Sequence, residues 1–135
     1  IHSLRYMHRI IASKHLVFLR VTLPREDSSK DKEREVEKDF REKAKEWSNR
    51  LTIIKGYTLD IVDQIPDKSL DFVFHDSDHS YPFVVNEIKA YLPKLKDGGF
   101  CMGDDYNWEP VKQSVKEMFG SKHTVVHGGV WYKQI

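Results

Sequence analysis

Residues 70–80 read LDFVFHDSDHS, and residues 100–105 read FCMGDD. Each is a short apolar run of β-favouring residues that breaks off into acids, the pattern of a strand whose carboxyl end carries polar groups. Between them, Pro82 stands where a helix can begin without its missing N–H, and Val84, Val85, Ile88, Tyr91, Leu92 and Leu95 supply one apolar face. Lys96-Asp97-Gly98-Gly99 is the expected stop of that helix, with the glycines available for a left-handed C-cap. Strand, helix and strand in this order are a crossover unit, so the two acidic strand ends are expected side by side in a parallel sheet.

The same alternation extends outward. Leu51–Lys55 reads as a short strand closed by Gly56, and Thr58–Ile65 as a helix that ends before Pro66. After the acidic loops, Val111, Val115, Met118 and Phe119 mark another helix, and residues 124–135 are strand material interrupted by Gly128-Gly129. Upstream, residues 14–23 read as a buried strand stopped at Pro24, and residues 1–14 as a short amphipathic helix. Residues 25–50 hold nine acids and nine bases around an apolar stripe of Val36, Phe40, Ala44 and Trp47, which predicts a helix with a salt-bridged outer face. The fold class is therefore α/β with a mostly parallel sheet.

Composition limits what this fold is for. A length of 135 residues fits a single domain, 1–135. The net charge of +1 provides no overall field to recruit nucleic acid or an anionic membrane, so a local site must do the binding. The longest apolar runs, such as Leu16-Val17-Phe18-Leu19, are far shorter than the roughly 18 residues of a membrane span. The single cysteine, Cys101, forms no internal disulfide, and a reducing, cytoplasmic setting is expected. Ile1 rather than Met opens the chain, which leaves room for upstream sequence.

Ligands of open α/β sheets sit beyond the carboxyl ends of the strands, which here means the acidic loops. Asp76 and Asp78 follow one strand, and Asp104 and Asp105 follow the next. Helix capping accounts for one acid per loop but not for two. Three or four carboxylates at neighbouring strand ends call for a counter-charge, and a divalent cation such as Mg²⁺, Mn²⁺ or Ca²⁺ meets that need. His75 and His79 leave a mixed nitrogen and oxygen site open.

Over residues 51–133 the ordered set IIKGYTLDIVDQIPDKSLDFVFHDSDHSY, YLPKLKDGG, FCMGDDY and VKQSVKEMF resembles the C-terminal half of class I S-adenosylmethionine-dependent methyltransferases. The likeness is strongest to the methyltransferase-24, or macrocin-O-methyltransferase, group, which includes sugar O-methyltransferases. That resemblance implies an incomplete Rossmann-like methyltransferase sheet, mostly parallel with an antiparallel C-terminal strand. It implies S-adenosylmethionine and Mg²⁺ or another divalent cation as cofactors, and a small molecule or sugar hydroxyl as the methyl acceptor. Asp76, Asp104 and Asp105 fall on the metal-ligand positions, and Asp78 and His79 on the two positions from which relatives take the base. Tyr57 and Thr58 fall beside the adenine, with Asp76 also near the cofactor. Trp108, directly after the second acidic loop, is a candidate for lining the acceptor pocket. His75 replaces the usual isoleucine and reads as a satisfied core histidine.

The chain departs from that family at its N-terminal side. All seven glycines lie at position 56 or later, so the first strand and its glycine-rich cofactor loop have no counterpart. Two expectations follow: a metal-assisted O-methyltransferase seen in shortened form, and a truncated or degenerate methyltransferase-like domain without catalysis. A phosphoesterase built on the same carboxylates lacks a Lys or Arg clamp near either loop. A shortened sheet leaves a strand edge open, which favours a homodimer.

Overall fold

The computed structural model describes residues 16–21 and 30–135. The helix expected over residues 1–14 and the strand stop at Pro24 lie outside the described residues. The chain divides into two compact units, Ile1–Tyr57 and Thr58–Ile135.

In the first unit, β1 (Leu16–Val21) and β2 (Leu51–Gly56) pair in parallel, in a register that runs from Leu16 opposite Leu51 to Val21 opposite Gly56. The charged segment between them forms α1 (Lys30–Lys43), followed by a 3₁₀ helix, Lys45–Arg50. Ala44 of the predicted apolar stripe is buried and Phe40 half-buried. Lys43 pairs with Asp39 at 2.7 Å and Lys45 with Glu42 at 2.8 Å on the solvent side, pairs worth a few tenths of a kcal/mol each.

The second unit holds the acidic loops. It begins with α2 (Thr58–Ile61), tightened into a 3₁₀ turn at Val62–Gln64 and ended by extended Ile65 ahead of Pro66. Then come β3 (Leu70–His75), α3 (Phe83–Tyr91) with a 3₁₀ extension Leu92–Lys94, β4 (Leu95–Gly103), α4 (Glu109–Phe119), β5 (Thr124–Val126) and β6 (Val130–Gln134). The four strands form one sheet in the order β3-β4-β6-β5. β3 and β4 are parallel, whereas β6 runs antiparallel to both β4 and β5. This is the α/β, partly Rossmann-like sheet read from the sequence, with its antiparallel C-terminal part built as a hairpin.

One punctuation mark works differently from the expectation. Pro93 tightens the end of the helix into its 3₁₀ extension, and Leu95 is already extended, so Lys96–Gly99 does not cap a helix. These residues instead bulge within β4, where Leu95 pairs with Leu70 but the next partner of β3 is Phe100. Backbone bonds from Gly98 N–H to Ile135 O and from Ile135 N–H to Gly99 O hold the bulge. A Cβ on Gly99 would sit 2.9 Å from two backbone oxygens, those of Asp71 and Lys96.

The core of this unit lies between the sheet and α3 and α4. Val84, Ile88, Leu95, Cys101, Val111, Val115 and Trp131 pack together there, with Val73, Leu92 and Phe119 against them. Each aliphatic side chain so buried contributes roughly 1.5–3 kcal/mol by leaving water. Trp131 is fully buried and belongs to this core. Among the described residues no helix is long and apolar enough to cross a membrane.

Candidate functional site

The register of β3 and β4 creates the site. His75 pairs with Gly103, so Asp76 and Asp104 leave adjacent strand ends together, and Asp104 N–H reaches His75 O at 3.3 Å. Gly103 is required by the close approach: a Cβ there would lie 2.7 Å from the Trp131 ring and 2.8 Å from His75 O. Asp105 then turns with φ of 58°, a left-handed conformation that Asp tolerates better than most side chains. Asp104 Oδ1 accepts the Asp105 N–H at 2.8 Å, Asp105 O accepts the Trp108 N–H at 2.9 Å, and the Tyr106 N–H donates to Gly129 O at 2.9 Å. Gly129, with φ of 117°, offers that carbonyl from a backbone conformation open to glycine.

The turn brings Asp105 to the first loop. Asp76, His79 and Asp105 each present a ligand atom within 4.8 Å of the others. His79 Nε2 is 2.6 Å from Asp105 Oδ2 and 3.6 Å from Asp76 Oδ1. The imidazole thus joins the two carboxylates at one point, closest to Asp105. Partial burial, then the charges of Asp104 and Asp105, push the Asp76 carboxyl above its usual range. The cluster is thus short of positive charge. Two carboxylates and an imidazole, partly open to solvent, are a fitting donor set for a hard or borderline divalent cation, with coordination positions left for an incoming oxygen. The Trp108 ring tilts over His79 at 5.2 Å between centroids and is exposed, at the mouth of this cluster.

The other expected residues are placed as follows. Asp104 lies beside the cluster and acts on Asp76 by its charge, but its Oδ1 faces the Asp105 N–H and it is not among the three converging groups. Asp78 Oδ1 accepts the Ser80 N–H at 2.7 Å, and the Ser80 bonds hold its carboxyl below the usual range, the opposite of what a proton acceptor needs. Tyr57 is exposed and belongs to the first unit. Thr58 is buried with its hydroxyl donated to Glu87 at 2.8 Å, and its carbonyl accepts the Tyr91 hydroxyl at 2.7 Å.

Glu87 is the residue that the pattern analysis passed over. It sits on the buried face of α3 and accepts hydrogen bonds from Thr58, Ser77 and, at 2.7 Å, His75 Nδ1. A carboxylate only accepts, so Nδ1 carries the proton. Burial alone would lower the His75 imidazole, but Cys101 and the Glu87 carboxylate outweigh it and push it up to about 9. Burial in turn would raise the Glu87 carboxyl, yet His75, Ser77 and Thr58 hold it below its ordinary value. His75 also stacks on Trp131, with the planes 7° apart. It is a paired core histidine, as read from the sequence. The available signal for Glu87 was a lone acid three residues after Val84 and four before Tyr91, inside an apolar stripe.

Comparison with known proteins places this geometry. Residues 2–106 match the family model of a methyltransferase domain, type 24. Over 65 residues the chain is 35% identical to uncharacterized protein R132 of Acanthamoeba polyphaga mimivirus, covering 42% of this chain and 29% of that protein. A structure described as a candidate O-methyltransferase from Klebsiella pneumoniae superposes with a TM-score of 0.64 at 18% identity, over 97% of this chain and 66% of that one. The O-methyltransferase NovP superposes equally well, with a TM-score of 0.64 at 16% identity, over 95% of this chain and 62% of NovP. At such identities the likeness is one of fold. The chain spans less than two thirds of the length of each of these proteins.

Proposed function

The chain belongs to the methyltransferase-24 family of methyltransferase domains, and from that premise we propose that it serves an S-adenosylmethionine-dependent O-methyltransferase whose Asp76 and Asp105 hold a divalent cation and whose His79 accepts the proton. The convergence of Asp76, His79 and Asp105 at the ends of two adjacent parallel strands carries this reading. A divalent cation held by Asp76 and Asp105 would lower the pKa of a hydroxyl brought to it. Asp76 and Asp105 supply the negative charge that recruits the cation, and Asp104 adds to it from beside the cluster. His79 Nε2, held 2.6 Å from Asp105 Oδ2, stands where it would take the departing proton. S-adenosylmethionine, when bound, would give its methyl group to the acceptor oxygen and leave as the thioether, and His79 Nε2 would take the hydroxyl proton.

The methyl donor is taken from the family. A small-molecule hydroxyl is the acceptor, with Trp108 at the open side of the cluster as a face for it. A buried, lone Cys101 is in keeping with a cytoplasmic setting.

Calorimetric titration with S-adenosylhomocysteine, with and without Mg²⁺, tests the reading. Binding of the thioether that tightens with Mg²⁺, with the Mg²⁺ effect lost in Asp105→Ala, is the expected result. A folded protein that takes up neither ligand would leave the degenerate, non-catalytic domain as the better description. His79→Ala separates the two roles open to imidazole: a base leaves cation affinity nearly intact and lowers turnover about 10²–10⁴-fold, whereas a ligand lowers both.

A further inference from the structure

Among the described residues, the Asp76 carboxylate has no hydrogen-bond donor of its own; its nearest polar neighbour is His79 Nε2 at 3.6 Å. What fixes it must therefore act through the chain on either side. Those sides are His75 and Ser77, and both are bonded to the same carboxylate, that of Glu87. Glu87 is itself held in place by its surroundings. It is only 4% exposed on a helix whose Val84 and Ile88 are core residues, and its third donor, Thr58, is tied back to that helix through the Tyr91 hydroxyl.

A buried ion pair is seldom needed for stability, since well-packed apolar residues do as well. Here the pair and its hydroxyl donors clamp the two residues that flank an exposed aspartate. We propose that Glu87 is a positioning residue, whose bonds to His75 and Ser77 fix the backbone of the first acidic loop and so aim Asp76 at the cation it shares with Asp105. This rests on the reading of Asp76 and Asp105 as cation ligands. The arrangement is that of an outer-shell partner acting on a ligand, except that it works through both peptide neighbours rather than on the ligating atom.

The two halves of the clamp differ in what they do for the fold. Glu87 with His75 is part of the core, so its removal disturbs packing as well as aim. The Ser77 hydroxyl is only part-buried, and its bond to Glu87 ties the loop and nothing else.

Mn²⁺ binding to the purified protein, followed by the paramagnetic resonance signal of the free ion, is the test. Wild type, Ser77→Ala, Ser77→Thr and Glu87→Gln are compared, with thermal unfolding of each alongside. Ser77→Ala and Glu87→Gln are expected to weaken Mn²⁺ binding at least about 10-fold, the usual cost of losing an outer-shell partner, and Ser77→Thr to restore it. Ser77→Ala should do so with little change in unfolding midpoint, which separates aim from stability and carries the test even if Glu87→Gln folds poorly. Wild-type uptake of Mn²⁺ with Ser77→Ala binding within about twofold of it would overturn the clamp alone. A wild-type protein that binds no Mn²⁺ would instead remove the cation reading, and the clamp with it.

Discussion

His75 and His79 lie on one short stretch of chain and each faces a carboxylate, yet their surroundings are opposite. The His75–Glu87 side chains are 6% and 5% exposed, and the Glu87 carboxylate accepts from His75, Ser77 and Thr58. The His79–Asp105 side chains are 29% and 37% exposed and approach to 2.6 Å. Burial makes the pairing of the first two groups necessary, because an unpaired charge in the core is costly. The second pair keeps part of each side chain open to water, which leaves room for a ligand beside it. A histidine and a carboxylate thus serve structure in one place and, on the reading proposed above, chemistry in the other.

The largest expected effect would break this contrast if it failed. Glu87→Leu leaves protonated His75 buried without its partner and should destabilise the protein by about 3–5 kcal/mol in denaturant unfolding. Asp105→Ala should change stability by no more than about 0.5 kcal/mol, since it removes a charge from a partly open cluster. A neutral Glu87→Leu would mean that the two pairs are alike. The double variant His75→Ile with Glu87→Leu sharpens the point: with both charges gone it should recover about 1–3 kcal/mol relative to the sum of the single variants.

The pH dependence of stability is a smaller effect with a definite sign. His75 is raised from 6.5 to about 9 in the folded protein, so its contribution is fully present below pH 6.5 and is lost as pH rises through about 9. Glu87 is held below its ordinary 4.5, so its contribution is present above that pH and lost as pH falls through its lowered value. Thermal unfolding across this range should therefore show the pair's stabilisation greatest between about pH 4.5 and 6.5, with an alkaline decline that His75→Ile reduces. The smallest effect is expected for His79→Ala, a stability change within about 0.5 kcal/mol at neutral pH.

Much of the second unit was legible because its elements have clean periods. LDFVF and FCM are too apolar and too short for anything but buried strands, and the Val84–Leu95 stripe keeps helical spacing. The two acidic loops were therefore located correctly at neighbouring strand ends. Which of their side chains converge was less legible. Asp104 and Asp105 are indistinguishable as a sequence pair, but only Asp105 takes the left-handed turn that carries it to Asp76 and His79. That turn is stabilised by Tyr106 N–H donating to Gly129 O and Asn107 Nδ2 donating to Gly128 O, in the 3₁₀ segment His127–Gly129, more than twenty residues away along the chain. Lys96–Gly99 misled for a related reason: a glycine pair signals a backbone departure, but not whether a helix is ending or a strand is bulging against the C-terminal residue.

The sequence alone determined the α/β alternation, the pairing of an acidic loop with each of two parallel strands and the excess of carboxylates there, because local hydrophobic period and the strand-ending acids are short-range properties. The tertiary structure alone decided that His79 rather than Asp104 completes the cluster, that Asp78 is spent on Ser80, and that Glu87 holds the first loop. Those outcomes depend on strand register and on which polar groups burial obliges to find partners, and both are settled only when distant segments pack.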